Sequence, residues 1–226
     1  MRRKEKARIV MERLAAAIPN AETELHYGSP FQLLVAVMLS AQCTDKRVNE
    51  TTPALFERFP TPESLVGVEF DEVFAYIKGI SYPANKSRHL LQTAEILVRE
   101  HGGQVPNDYN ALLALPGVGR KTANVVTSIL WKAPRFAVDT HVFRVGNRIG
   151  LTRAKTVLQS EQQLTALFLD DEIPDAHHYL ILHGRYTCVA RKPACARCVL
   201  TDICAHLHKQ TRAAERTAKR KAAQQG

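Results

Sequence analysis

An all-α fold follows from three observations on the sequence. Apolar residues recur at helical spacing through most of the chain, and capping residues punctuate that pattern. Alternating, β-branched runs bounded by turns are scarce. No repeat of fixed period is present.

Residues 8–18 carry apolar side chains at helical spacing and stop before Pro19. Pro30 is placed for the first turn of a helix through Phe31, Leu34, Val35 and Met38. Thr61-Pro62-Glu63 reads as an N-cap followed by a proline at the first helical position. Residues 86–100 are amphipathic and end at Gly102-Gly103. Asn107-Asp108 precedes a further helix, another starts near Gly119 and runs to Trp131, and residues 177–186 are helix-like. The stretch 210–226 is rich in Lys, Arg, Ala and Gln and has no apolar face. It is expected as a frayed or disordered basic tail, with a solvated helical extension as the alternative.

Bulk properties bound the function. With 226 residues, 45% hydrophobic and 23% charged, the chain has ample length for a buried core and an ordinary globular balance. Lys plus Arg outnumber Asp plus Glu by 31 to 22, a formal charge of +9. Such an excess favours a polyanionic partner, nucleic acid being the commonest. The longest apolar run, Leu33 to Leu39, is too short to span a bilayer, and the basic start Met1-Arg2-Arg3-Lys4 has no apolar core behind it. These features predict no membrane partner and a reducing, intracellular setting: the cytoplasm, beside the nucleoid in a bacterium. No feature points to an oligomer, so a monomer is expected.

In a reducing compartment cysteines are metal ligands or free thiols rather than disulfides. Cys188, Cys195, Cys198 and Cys204 fall in one short window, separated by six, two and five residues. Short loops keep four sulfurs within reach of one centre at little entropic cost. Both an iron–sulfur cluster and tetrahedral zinc accept four cysteines, and spacing alone leans slightly to zinc. Arg185, Arg191, Lys192 and Arg197 surround the ligands, where pinned loops would make them a phosphate-binding surface. Cys43 stands apart and is expected as a small buried residue inside an apolar helix.

The segment Leu115-Pro116-Gly117-Val118-Gly119-Arg120-Lys121-Thr122-Ala123 is the most informative stretch. An apolar helix ends, two glycines turn the chain, and a new helix begins with open N–H groups and the positive end of its dipole. This is the pattern of a helix-hairpin-helix that clamps phosphates. A glycine pair alone is usually just a turn; Arg120, Lys121 and the net charge move the reading to phosphate binding. Downstream, Asp139 precedes an apolar helical run and on local grounds is an N-cap, while His141 is more simply a structural residue.

Four segments together carry a resemblance: Met38-Leu39-Ser40-Ala41-Gln42, the Leu115-to-Ala123 hairpin, Ala137-Val138-Asp139-Thr140-His141, and Leu182-His183-Gly184-Arg185-Tyr186-Thr187-Cys188. With the cysteine spacing, the chain resembles the endonuclease III family of DNA glycosylases with lyase activity over residues 6–208. The resemblance implies two helical lobes with DNA in the cleft between them: a central lobe, 23–133, carrying the hairpin, and a cluster lobe, 1–22 plus 134–209. It also shifts the metal expectation from zinc to one 4Fe-4S cluster that positions DNA.

The same resemblance implies the chemistry. Lys121 is the nucleophile and Asp139 the essential carboxylate of a base-excision repair enzyme that acts on double-stranded DNA carrying damaged bases or abasic sites. Lys121 must attack as the neutral amine, which desolvation and nearby charge such as Arg120 favour. Gln42 fills the gap left by the flipped nucleotide, with Ser40 and Asp45 along the same surface. Where the family inserts an apolar side chain, this chain reads Gly79-Ile80-Ser81-Tyr82-Pro83, so Tyr82 holds the wedge position. Gly117, Gly119, Arg120, Arg191 and Lys192 are the expected phosphate contacts. The alternatives are an adenine-specific mismatch glycosylase, which expects no lysine at position 121, and a non-catalytic iron–sulfur DNA-binding protein.

Overall fold

A computed structural model describes residues 1–224, and among them every regular element is helical. The α-helices are α1 (Arg3–Ala17), α2 (Pro30–Leu39), α3 (Asp45–Arg58), α4 (Phe70–Ile77), α5 (Pro83–His101), α6 (Tyr109–Ala114), α7 (Arg120–Trp131), α8 (Thr140–Ile149), α9 (Val157–Thr165), α10 (Ile173–Tyr186) and α11 (Ala205–Ala223). The chain forms two compact units, one of residues 23–135 and one of residues 1–22 with 136 onward.

The unit of residues 23–135 is built around α2. Ser29 caps this helix by accepting a hydrogen bond from the Gln32 N–H, Pro30 occupies its first turn, and every residue from Leu33 to Leu39 is buried. A helix apolar all round has to be enclosed on every side. Here α3, α5 and α7 pack against it. The other unit places Ala7, Val10 and Leu14 of α1, Val142, Val145 and Ile149 of α8, and Ile173, Ala176 and Leu180 of α10 in one core.

The structure departs from the sequence expectations at three places. Cys43 is not inside a helix: α2 stops at Leu39, and Cys43 lies half-buried in the turn before α3. The physical reason is the closure of α2, where the Ser40 hydroxyl donates back to the Val37 carbonyl and the carbonyls of Leu39 and Ala41 are taken by a side chain of α5. The Thr61-Pro62-Glu63 signal opens only a short 3-10 turn, Pro62–Leu65. Finally, residues 210–223 are helical rather than irregular, continuing α11 with their described side chains exposed. Ala, Lys, Arg, Glu and Gln are all strong helix formers, and no Gly or Pro interrupts them. Residues 225 and 226, the end of that expected tail, lie outside the described residues.

Candidate functional site

The hairpin between α6 and α7 assigns different work to its two glycines. Gly117 has φ of +77°, the left-handed region that favours glycine, and a Cβ there would sit 2.7 Å from Nδ1 of His89. Gly119 is extended at φ −93° and ψ 176°, caps α7, and has open space where its Cβ would be. Gly117 therefore makes the turn, and Gly119 leaves the front of the helix uncovered. The hairpin is tied to α5 by the Thr93 hydroxyl, which donates to the Pro116 carbonyl at 3.1 Å. Arg120 and Lys121 open α7 and are exposed. No side chain caps the N-terminus of α7, so its first N–H groups and dipole face outward beside two cations. That is the equipment of a phosphate site.

The same unit holds the two residues expected to enter the base stack. Gln42 and Tyr82 are both exposed, and both have φ of +57°, an uncommon conformation for residues with a Cβ. Tyr82 stands at the N-cap of α5 and is 67% exposed, free to stack on a planar partner. Ala41, Tyr82, Lys86, His89 and Gly117 line one open pocket of about 570 Å³, counted with its mouth. The turns carrying Gln42, Tyr82 and the glycine hairpin therefore converge on one face of this unit. Ser40 spends its hydroxyl on its own helix end, and Asp45 is the half-buried first residue of α3.

Lys86 was not singled out by the sequence, yet it is the buried cation of this face. Its ammonium donates to Leu39 O at 2.8 Å and to Ala41 O at 2.6 Å. Burial pushes its pKa down, with the Cys43 thiol acting weakly the other way. A signal was present: Lys86 falls at helical spacing with Leu90, Ala94 and Leu97, on the core face of α5.

In the other unit, Asp139 caps α8. One carboxylate oxygen accepts the Val142 N–H at 2.8 Å, and the side chain is half-buried. The local reading of Asp139 as an N-cap and its expected reactive role are compatible, because capping engages only one of two oxygens. Further along α8, Arg144 donates to Cys188 O at 3.0 Å and Gly184 O at 2.8 Å. Arg148, one turn on, donates to Val189 O at 2.8 Å and Ala190 O at 2.9 Å, with a longer approach of 3.6 Å to Cys188 Sγ. These guanidinium groups hold a loop that has little secondary structure of its own.

All four cysteines are half-buried and unpaired, and they line one pocket with His183, Arg148, Leu200 and Leu207. Desolvation pushes His183 down to about 4, so a neutral imidazole faces Cys198 Sγ at 3.7 Å. Four thiols around one partly enclosed pocket form an all-sulfur donor set, which fits a 4Fe-4S cluster held by four thiolates. Arg191 and Lys192 are exposed on the loop between Cys188 and Cys195, and Arg197 donates to Tyr186 O at 2.6 Å.

Comparison with known proteins gives these features a context. Residues 35–168 match the HhH-GPD superfamily base excision DNA repair protein model, and residues 188–204 match the iron-sulfur binding domain of endonuclease III. The chain is 46% identical over 200 residues to endonuclease III of Escherichia coli (strain K12), covering 88% of this chain and 95% of that protein. It is 45% identical over 200 residues to endonuclease III of Haemophilus influenzae, with the same coverage. A solved structure of a trapped endonuclease III-DNA covalent intermediate superposes with a TM-score of 0.88 at 40% identity, over 93% of this chain and all of that one. The cysteine loop and the glycine hairpin are thus parts of one inheritance, and the chain belongs to the endonuclease III family of HhH-GPD base excision DNA repair proteins.

Proposed function

We propose that this chain removes oxidised pyrimidines from duplex DNA with Lys121 as the nucleophile and cuts the strand 3′ to the resulting abasic site. The observation that carries the proposal is the position of Lys121: exposed, in the first turn of α7, beside an uncapped helix N-terminus. Phosphates anchored on those N–H groups would bring a flipped nucleotide's sugar to the amine. A solved relative trapped as a covalent intermediate on DNA supports a covalent route.

The neutral amine of Lys121 adds to the sugar C1′, the N-glycosidic bond breaks, and the bonding pair leaves with the base, which takes up a proton. The sugar opens to a Schiff base on Lys121. Loss of a C2′ proton then expels the 3′ phosphate, and hydrolysis returns the lysine. Asp139 keeps one oxygen on the α8 N-terminus and offers the other to the positive charge that develops on the sugar. It also serves in proton transfer. Water is displaced from Lys121 when DNA covers it, which favours the neutral, attacking form.

Gln42 enters the gap left by the flipped nucleotide, where an amide both donates and accepts, and Tyr82 stacks from the other turn. Ser40 and Asp45 border this surface. Gly117, Gly119 and Arg120 meet phosphates at the hairpin, and Arg191 and Lys192 do so at the cysteine loop. When bound by Cys188, Cys195, Cys198 and Cys204, a 4Fe-4S cluster supplies covalent bracing for that loop. The protein acts as a monomer on DNA in the cytoplasm. No helix among the described residues is long and apolar enough to cross a membrane.

Borohydride trapping tests the proposal. Wild type should form an irreversible crosslink to duplex DNA carrying an abasic site or an oxidised pyrimidine, and Lys121→Ala should form none. A crosslink of equal yield in Lys121→Ala would remove Lys121 as the nucleophile.

A further inference from the structure

We infer that Lys86 is a positioning residue for base excision: from the core face of α5, it holds the turn that presents Gln42 to DNA. The geometry is specific. The ammonium bridges Leu39 O and Ala41 O, the carbonyls of the last residue of α2 and of the residue before Gln42. Gln42 itself sits at φ +57°, which a residue bearing a Cβ keeps only where its surroundings hold it. Lys86 is 8% exposed, and its two hydrogen-bond partners are neutral carbonyls rather than a carboxylate. Burying a cation on dipoles is costly, and burial does push this amine's pKa down. A packing residue alone would need no charge at this position. The negative end of α2 and the exposed-turn carbonyl of Ala41 are what the charge serves.

The placement of Lys86 on α5 explains why the turn must be held there. Lys86, His89 and Thr93 follow at i, i+3 and i+7, so they share one side of the helix. His89 abuts Gly117, Thr93 holds Pro116, and Tyr82 stands at the head of the same helix. One rigid element thus fixes the Gln42 turn, the Tyr82 wedge and the phosphate-binding hairpin relative to one another, all within a single compact unit. Lys86 is the link to Gln42 in that set. Removing it leaves hairpin and wedge in place and releases only the gap-filling turn.

The inference rests on the reading of Gln42 as gap filler, so the test includes Gln42. Single-turnover rates would be measured on two duplexes that differ only in carrying an oxidised pyrimidine or a preformed abasic site. An abasic site has no base to extrude, so its cleavage depends less on gap filling. Lys86→Met, of similar length but without donors, is expected to slow base excision about tenfold or more while abasic-site cleavage stays within about threefold. Lys86→Arg, which restores donors, is expected to recover part of the loss, a rescue that a packing role would not give. Gln42→Ala should show the same selective loss as Lys86→Met.

If Gln42→Ala shows the selective loss and Lys86→Met slows neither or both substrates equally, the inference falls and the Gln42 reading stands. If Gln42→Ala shows no selective loss, the gap-filling reading falls and takes the inference with it. Should Lys86→Met fail to fold, Lys86→Gln takes its place: its shorter, neutral head cannot bridge both carbonyls, so an unchanged ratio between the two substrates refutes the inference.

Discussion

The two hairpin glycines give a prediction in which stability and DNA binding separate. Gly117→Ala places a Cβ in the left-handed region, which costs about 1–2 kcal/mol. The new methyl meets Nδ1 of His89 at 2.7 Å and two of its carbons at 3.0 Å, so the ring or the turn must move. Crowding of that kind costs about 1–3 kcal/mol. Loss of unfolded-chain freedom returns about 0.4–1 kcal/mol. The net destabilisation is about 1–4.5 kcal/mol, which for a chain of this length lowers Tm by roughly 2–18 °C. Gly119→Ala meets neither penalty, because its φ of −93° suits alanine and nothing lies within 4 Å of the new Cβ. The poorer N-cap, at about 0.5–1 kcal/mol, is offset by the same gain in the unfolded state, so Tm should barely change. Its methyl instead stands before the first N–H groups of α7, and affinity for a duplex with an uncleavable abasic analogue should fall about tenfold, or ~1.4 kcal/mol. Thermal melting followed by circular dichroism and fluorescence anisotropy titration measure the two effects. If Gly119→Ala melts as low as Gly117→Ala, or binds DNA as tightly as wild type, the division of labour between the glycines is wrong.

Two further outcomes follow from the other unit. A chain ending at His208 loses residues 209–226, and with them Lys209, Arg212, Arg216, Lys219, Arg220 and Lys221 against one acid, Glu215, while keeping Cys204. Each lost phosphate contact should flatten the salt dependence of DNA affinity by about 0.9 in log–log slope, with folding stability changed by less than about 0.5 kcal/mol. An unchanged slope would show that α11 does not meet DNA. Lys6→Met withdraws the donor to Ile149 O at 2.9 Å and to Ile203 O at 2.7 Å, the latter one residue before Cys204. It should cost about 1–3 kcal/mol of stability and speed the loss of visible absorption when the loaded protein is challenged with a chelator. Equal decay rates in wild type and variant would mean that Lys6 does not brace the cysteine loop.

Much of this architecture was legible because its helices announce their ends. Ser29-Pro30, Asp108, Gly102 and Asp139 all stand at helix boundaries where their chemistry predicts them. Helix α3 was not legible, because Thr51-Thr52-Pro53 reads as a break. The helix continues through Pro53 since Val48, Thr52 and Leu55 are buried on one face, and tertiary packing outweighs local propensity. The chemistry divides in the same way. Cys188, Cys195, Cys198 and Cys204 announce a metal centre by their spacing, although spacing alone leaned to zinc and the family pattern was needed to point to a cluster. Lys86 carries its meaning in what lies across from it, and carbonyls of a distant turn leave no trace in the residues around it. Gly117 and Gly119 look equivalent in sequence, and only backbone angles and neighbours tell the turn-maker from the open cap.

The structure also changes what the net charge of +9 signifies. Charge alone argued for a polyanion, yet many cations here are engaged by the protein itself. Lys6, Lys86, Arg144, Arg148 and Arg197 donate to main-chain carbonyls, and Arg8, Arg13, Arg58 and Arg99 pair with carboxylates. The carbonyl-bound group gathers where the backbone lacks secondary structure, at the cysteine loop and at the Gln42 turn. Irregular backbone leaves carbonyls without partners, and a buried or half-buried cation satisfies several of them at once. An enzyme that presents its reactive surface on turns therefore needs internal cations for the same reason that it needs external ones. The turns that meet phosphates on one side must be fastened on the other. On this argument the basic residues divide into those that read DNA and those that hold the readers still. Only the first group should contribute to the salt dependence of binding, while loss of the second should appear as slower chemistry at unchanged slope.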